Sequence, residues 1–130
     1  MIAVDTNVLV RILTRDEPAQ VRKALRRLRG QEVWLSKTVL LETEWVLRYS
    51  YALSQSIIAH ALQRLLGYPL AGVEDRQAVV LALEGYLAGL DFADALHVAS
   101  APDADRFLTF DRTLARRAQG RAGLPPVEGL

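Results

Sequence analysis

The sequence predicts an α/β fold, a central parallel β-sheet flanked by α-helices on both faces, in a single domain over residues 1–130. Short apolar runs alternate with longer amphipathic segments, the pattern of strands joined by helical crossovers. An apolar share of 51% allows a core. With Cys 0, no disulfide framework is available to hold a different kind of fold together.

The elements follow in order. Ile2-Ala3-Val4 reads as a short strand, Asp5-Thr6-Asn7 as a turn with capping residues, and Val8, Leu9, Ile12 and Leu13 as the apolar face of a first helix. Pro18 opens a second helix with Val21, Leu25 and Leu28 on its stripe, and Gly30 stops it. Glu32 to Leu35 is strand-like. A third helix runs from Ser36 or Thr38 to about Tyr51, and Ser54 caps a fourth that ends before Gly67. A short strand is expected around Leu70 and Ala71. Asp75 opens a fifth helix with Val79, Val80, Leu83 and Leu87 inward, closed by Gly89, and Asp91 opens a sixth. Arg106 to Thr109 reads as a buried strand, Asp111 to Ala118 as a helix, and Leu124 to Val127 as a last strand whose prolines suit a sheet edge.

Composition removes several functions. Without cysteine there is no thiolate zinc site, thiol nucleophile or Fe–S cluster. The longest apolar run, Ala78 to Leu83, is far short of the roughly 18–20 residues of a membrane helix. The start has no basic region and places Asp5 where a signal peptide is apolar, so a cytoplasmic protein is expected. The 16 basic and 15 acidic residues nearly cancel. The bases are nonetheless clustered: Arg22, Lys23, Arg26, Arg27 and Arg29 on the second helix, and Arg106, Arg112, Arg116, Arg117 and Arg121 near the end.

In a parallel sheet, ligand sites lie beyond the carboxyl ends of the strands. Asp5 and Asp111 fall at two such ends, although each could simply cap the helix that follows. On the third helix, Glu42 shares a stripe with Val39, Trp45, Val46 and Tyr49, which predicts a core-facing carboxylate in need of a partner. Glu44 precedes Arg48 by four residues and is expected as a solvated surface ion pair. Asp91 looks like the cap of the sixth helix. Asp94, three residues on, shares a face with His97 and Val98, with a capping-box role as its alternative. If Asp5, Glu42, Asp94 and Asp111 converge, a cation is required to keep them ionised, and an oxygen-only set points to Mg²⁺ or Mn²⁺.

Four ordered blocks then become specific: Val4-Asp5-Thr6-Asn7-Val8-Leu9, Val39-Leu40-Leu41-Glu42-Thr43-Glu44-Trp45-Val46-Leu47, Asp91-Phe92-Ala93-Asp94-Ala95-Leu96 and Leu108-Thr109-Phe110-Asp111. Together they resemble the PIN-domain ribonucleases, in particular the VapC toxins of toxin–antitoxin pairs, over nearly the whole chain. The resemblance implies a PIN-like fold and a Mg²⁺- or Mn²⁺-dependent endoribonuclease that hydrolyses RNA phosphodiesters with a metal-activated water. It assigns metal-binding and catalytic roles to Asp5, Glu42, Asp94 and Asp111, and supporting roles to Thr6, Asn7, Asp91 and Thr109. It further implies a cognate antitoxin protein and a homodimer. The stretch Ala101-Pro102-Asp103-Ala104-Asp105 departs from relatives, which often have a glycine-containing turn there.

An acidic pocket repels RNA, so backbone contacts are expected from Arg26, Arg27, Arg112 and Arg116. His60 and His97 are the only histidines; His60 is expected at the core or its rim, and neither is needed as acid or base. Large side chains on the third and fourth helices, Trp45, Tyr49, Tyr51, Ile57 and Leu62, exceed what the core can obviously hide, so some suit an interface. The alternative is a catalytically silent PIN-like RNA-binding or regulatory module. A phosphotransferase of the haloacid-dehalogenase type is disfavoured, because Asn7 stands where its second aspartate would be.

Overall fold

A computed structural model describes residues 1–130, and its backbone forms two compact units, Met1–Glu74 and Asp75–Leu130. No helix is long and apolar enough to cross a membrane.

The first unit is ordered β1 (Ile2–Ala3), α1 (Thr6–Thr14), α2 (Pro18–Leu28), β2 (Val33–Leu35), α3 (Lys37–Tyr49), α4 (Gln55–Leu66) and β3 (Ala71–Val73). Its three strands are parallel in the order β1-β2-β3, with Ile2 opposite Val33 and Val33 opposite Ala71. Helices cover the sheet because each crossover must bury an apolar stripe; Leu9, Val10, Leu35, Leu40, Leu47, Ile58 and Leu62 are the buried centre. The capping residues act as their types predict. Ser36 Oγ accepts from the Val39 N–H and Ser54 Oγ from the Ile57 N–H, each at 3.3 Å. Glu74 Oε1 accepts from the Lys37 N–H at 2.8 Å, satisfying another unpaired donor at the start of α3.

A polar clamp ties α1 to its neighbours. Arg11 Nε donates to Gln20 at 2.9 Å, and its Nη1 donates to Asp16 at 3.1 Å and to the Tyr51 hydroxyl at 2.9 Å. Tyr51 and Thr14 hydroxyls both donate to Asp16. These charge-assisted bonds hold the carboxyl of Asp16 below its ordinary range, with the Tyr51 hydroxyl as the leading cause.

The third helix corrects two expectations. Glu42 is exposed, together with Trp45 and Tyr49, whereas Leu40, Thr43, Glu44 and Leu47 face the interior. Both stripes have helical spacing, and the one with two leucines is buried. Glu44, only 1% exposed, is therefore no surface residue: Arg48 Nε lies 2.8 Å from its Oε2, and Arg48 Nη2 donates to its Oε1 at 3.1 Å. The same spacing that suggests an exposed pair serves here to neutralise a buried acid. Trp45 and Tyr49 remain outside, stacked at a tilt with ring centres 5.1 Å apart.

The second unit contains α5 (Arg76–Leu87), α6 (Phe92–Ala99), β4 (Phe107–Thr109), α7 (Arg112–Arg117) and β5 (Val127–Gly129). Helices α5 and α6 pack closely because Gly85 has no side chain; a Cβ there would come within 2.9 Å of Leu90 and 3.3 Å of Ala95. Ala78, Val79, Ala82, Leu83 and Tyr86 point inward on α5, and the rings of Tyr86 and Phe92 meet edge to face. Val80 and Leu87, expected inward, are exposed, since the buried face is centred on the small residues that permit this close approach. Asp75 precedes α5 but makes no side-chain cap; it adopts φ +48°.

Strands β4 and β5 pair in parallel, and α7 packs against both; β4, expected to be buried, is not, since it belongs to a two-stranded sheet and Leu108 is exposed. β5 lies three residues later than expected at its start: Pro125 and Pro126 cannot donate to a ladder, so the strand begins at Val127. Pro126 contributes only its carbonyl, which accepts from the Phe107 N–H at 2.8 Å. The Ala101–Asp105 turn closes without glycine, and none of its residues takes a positive φ.

Candidate functional site

Asp5 follows β1 with Val4 between them and caps α1, its Oδ1 accepting from the Val8 N–H at 3.0 Å. Asp111 follows β4 and caps α7 in the same manner, its Oδ1 accepting from Thr113 N–H at 2.9 Å and Leu114 N–H at 3.1 Å. Thr109 supports that turn by accepting from the Asp111 N–H at 3.0 Å. Capping and ligation are thus compatible: the cap engages Oδ1 in each case and fixes the carboxylate, leaving Oδ2 outside the cap.

Asp91 caps α6 by accepting from the Asp94 N–H at 3.2 Å through Oδ2. Asp94, half-buried in the first turn, has its carboxyl pushed above its ordinary value, first by burial and then by the negative charges of Asp91 and Asp111; His97 acts in the opposite sense. The second unit therefore brings Asp91 and Asp111 each within electrostatic reach of Asp94. The first unit holds Asp5, which caps α1, and Glu42 on α3; α1 and α3 pack together. No three His, Asp or Glu side chains stand gathered as a finished metal cage.

A cleft of about 580 Å³ opens beside Asp5, with Asn7, Arg11, Gln20, Lys23 and Arg27 among its lining residues. Thr6 and Asn7 make no side-chain hydrogen bond within the chain, but Asn7 shares the cleft with Asp5. Lys23, absent from the sequence-based site, stands here one helical turn before Arg27; Arg22 and Arg26 share that spacing, so no sequence signal separates the two pairs. Arg26 is exposed outside the cleft.

Several C-terminal arginines have structural work. Arg117 donates to the Gly89 carbonyl at 3.0 Å, Arg121 to the Arg117 carbonyl at 3.2 Å, and Arg106 lies 3.7 Å from Glu128. Arg112 and Arg116 are exposed and make no intrachain polar contact. His60, expected at the core or rim, is instead exposed on α4. His97, also exposed, is felt at Asp94 as a favourable charge.

A family profile described as the PIN domain matches residues 2–120. The chain belongs to the PIN-domain family. Members of that family are in general metal-dependent nucleases acting on nucleic acids, and the match covers Asp5, Glu42, Asp91, Asp94 and Asp111. No curated protein and no solved structure matches the chain significantly. The donor chemistry of this PIN domain suits a hard divalent ion: the candidate ligands offer carboxylate oxygen alone, and Asp94 is raised by burial first and by the like charges of Asp91 and Asp111 second.

Proposed function

We propose that this PIN domain, one functional domain over residues 1–130, is a Mg²⁺- or Mn²⁺-dependent endoribonuclease and the toxin of a VapC-type toxin–antitoxin pair. The observation that carries the reading is Asp94. It is half-buried beside two like charges, has no ion pair to lysine or arginine, and sits in a family of metal-dependent nucleases. A structural carboxylate would ordinarily be paired, as Glu44 is.

Asp5, Glu42, Asp94 and Asp111 would hold the metal. When bound, a divalent ion supplies an activated nucleophilic water and neutralises charge developing on the phosphate. The protein's own contribution is positional. Helix caps orient Asp5 and Asp111, Thr109 fixes the turn before α7, and Asp91 fixes the start of α6.

An apolar groove of about 430 Å³ in the first unit, lined by Leu9, Ile12, Leu13, Leu25 and Leu65 with Arg15 and Arg64, suits an apolar antitoxin segment bearing acids. Exposed Trp45, Tyr49 and Ile57 suit a homodimer face. A cytoplasmic setting goes with an RNA substrate.

The test uses the full chain free of antitoxin with end-labelled RNA. Cleavage in Mn²⁺ or Mg²⁺ is expected to leave 3′-hydroxyl and 5′-phosphate ends, and to be lost with chelator or in Asp94→Asn. RNA left intact in both metals would remove the nuclease reading and favour the silent module.

A further inference from the structure

The cleft beside Asp5 carries charges of both signs that do not pair. Asp5 and Asn7 line it from the start of α1, and Lys23 and Arg27 from one face of α2. Neither Lys23 nor Arg27 makes an ion pair or hydrogen bond within the chain. The third cation of the cleft, Arg11, is committed to Asp16, Gln20 and Tyr51, so it cannot swing to a ligand without opening the clamp. Between the charged walls lie Ile2, Ala3, Val4, Val8, Ala24 and Leu28, an apolar floor against which a ribose or base can rest. A volume of about 580 Å³ is of the size that takes a small organic ligand, and here suits a nucleotide-sized piece of a strand.

We propose that Lys23 and Arg27 form a phosphate-binding subsite that holds the backbone of single-stranded RNA beside Asp5; this rests on the ribonuclease reading above. Two cations on adjacent turns of one face neutralise backbone phosphate, while Asp5, lining the same cleft from the start of α1, repels it. The strand is thereby held along α2, and only the phosphate to be cut needs the company of the carboxylates. Charge alone does not single out these two residues. Arg22 and Arg29 are equally exposed and equally unpaired, yet they lie outside the cleft and belong to its surroundings only as general positive field.

RNA binding by the full chain is measured across a salt series, in a cleavage-inactive Asp94→Asn background, for Lys23→Ala/Arg27→Ala and for Arg22→Ala/Arg29→Ala. Each phosphate of a single strand that the protein no longer neutralises lowers the slope of log K against log salt by about 0.7. The cleft variant is expected to show a slope shallower by about 0.7–1.4 and to bind about tenfold more weakly at low salt. The control is expected to keep most of the slope, although both remove two charges. In the active background, a single neutral methylphosphonate moved along the RNA should weaken wild type at one position near the cleaved bond and leave the cleft variant unaffected there. Equal slopes in the two variants, or no such position, would overturn the subsite while RNA cleavage by wild type kept the nuclease reading intact. Wild type that neither binds nor cuts RNA would overturn both.

Discussion

Glu42 and Glu44 stand two residues apart on α3 and live in opposite conditions. Glu44 is enclosed and held by Arg48 through two nitrogens; Glu42 is open to solvent, in line with Trp45 and Tyr49. A fold that needs a buried acid gives it a partner, and an acid left without one on an exposed face is available for something else. Asp16 and Asp94 repeat the contrast. Asp16 receives bonds from Tyr51, Thr14 and Arg11, whereas Asp94 is half-buried and feels the like charges of Asp91 and Asp111, with no lysine or arginine paired to it.

The largest expected effect separates the two glutamates. Glu44→Ala should destabilise the protein by about 3 kcal/mol, because it strands the Arg48 guanidinium and leaves a cavity, discounted for the partial exposure of Arg48. Glu42→Gln should leave the melting temperature nearly unchanged and lower RNA cleavage by about 100-fold if Glu42 is a ligand. Thermal melts with cleavage assays on both proteins read the comparison directly; a Glu42→Gln protein that melts early, or cuts normally, would break it.

A smaller effect sits between them in the sequence. Thr43 is fully buried and its hydroxyl has no partner, so Thr43→Val should stabilise by about 1 kcal/mol, read as a higher denaturation midpoint. A loss of stability would mean that the hydroxyl is satisfied in solution.

The acid pairs differ in pH dependence. A carboxyl raised in the folded state, as at Asp94, binds its proton more tightly there than in the unfolded chain. Stability from this group therefore falls as pH rises from about 3.8 through the raised value. Asp16 is the reverse: its contribution is present above about 3.8 and is lost as pH falls through the lowered value. Asp94→Asn should raise stability at neutral pH and remove the first trend, while Tyr51→Phe should weaken the second. Urea midpoints from pH 2.5 to 7 check both signs.

Much of the chain was legible from local chemistry. Ser36, Ser54, Asp5, Asp91 and Asp111 all cap where their side chains predict, since capping depends only on a short-range bond to a nearby N–H. Burial was harder to read. On α3, two stripes met the helical period, and aromatic size suggested the wrong one as core. On α5, the inward face is set by Gly85 and its small neighbours, which hydrophobicity alone ranks below Val80 and Leu87. The candidate acids could be named individually from their places after strands or on helix starts. The subsite on α2 could not, because the five bases of that segment differ only in which of them faces a cleft.

The single-oxygen caps at Asp5 and Asp111 separate foldability from chemistry. Asparagine, serine or threonine at either position can close the same helix with almost no loss, yet none brings the negative charge. With the metal-holding role proposed above for both aspartates, one such substitution is expected to disarm the protein while its shape stays whole. Alanine would confuse the two by fraying the helix as well. Descendants that keep the architecture but not the activity should be found with such polar residues at these two positions, and those retaining both aspartates should be the ones that cut.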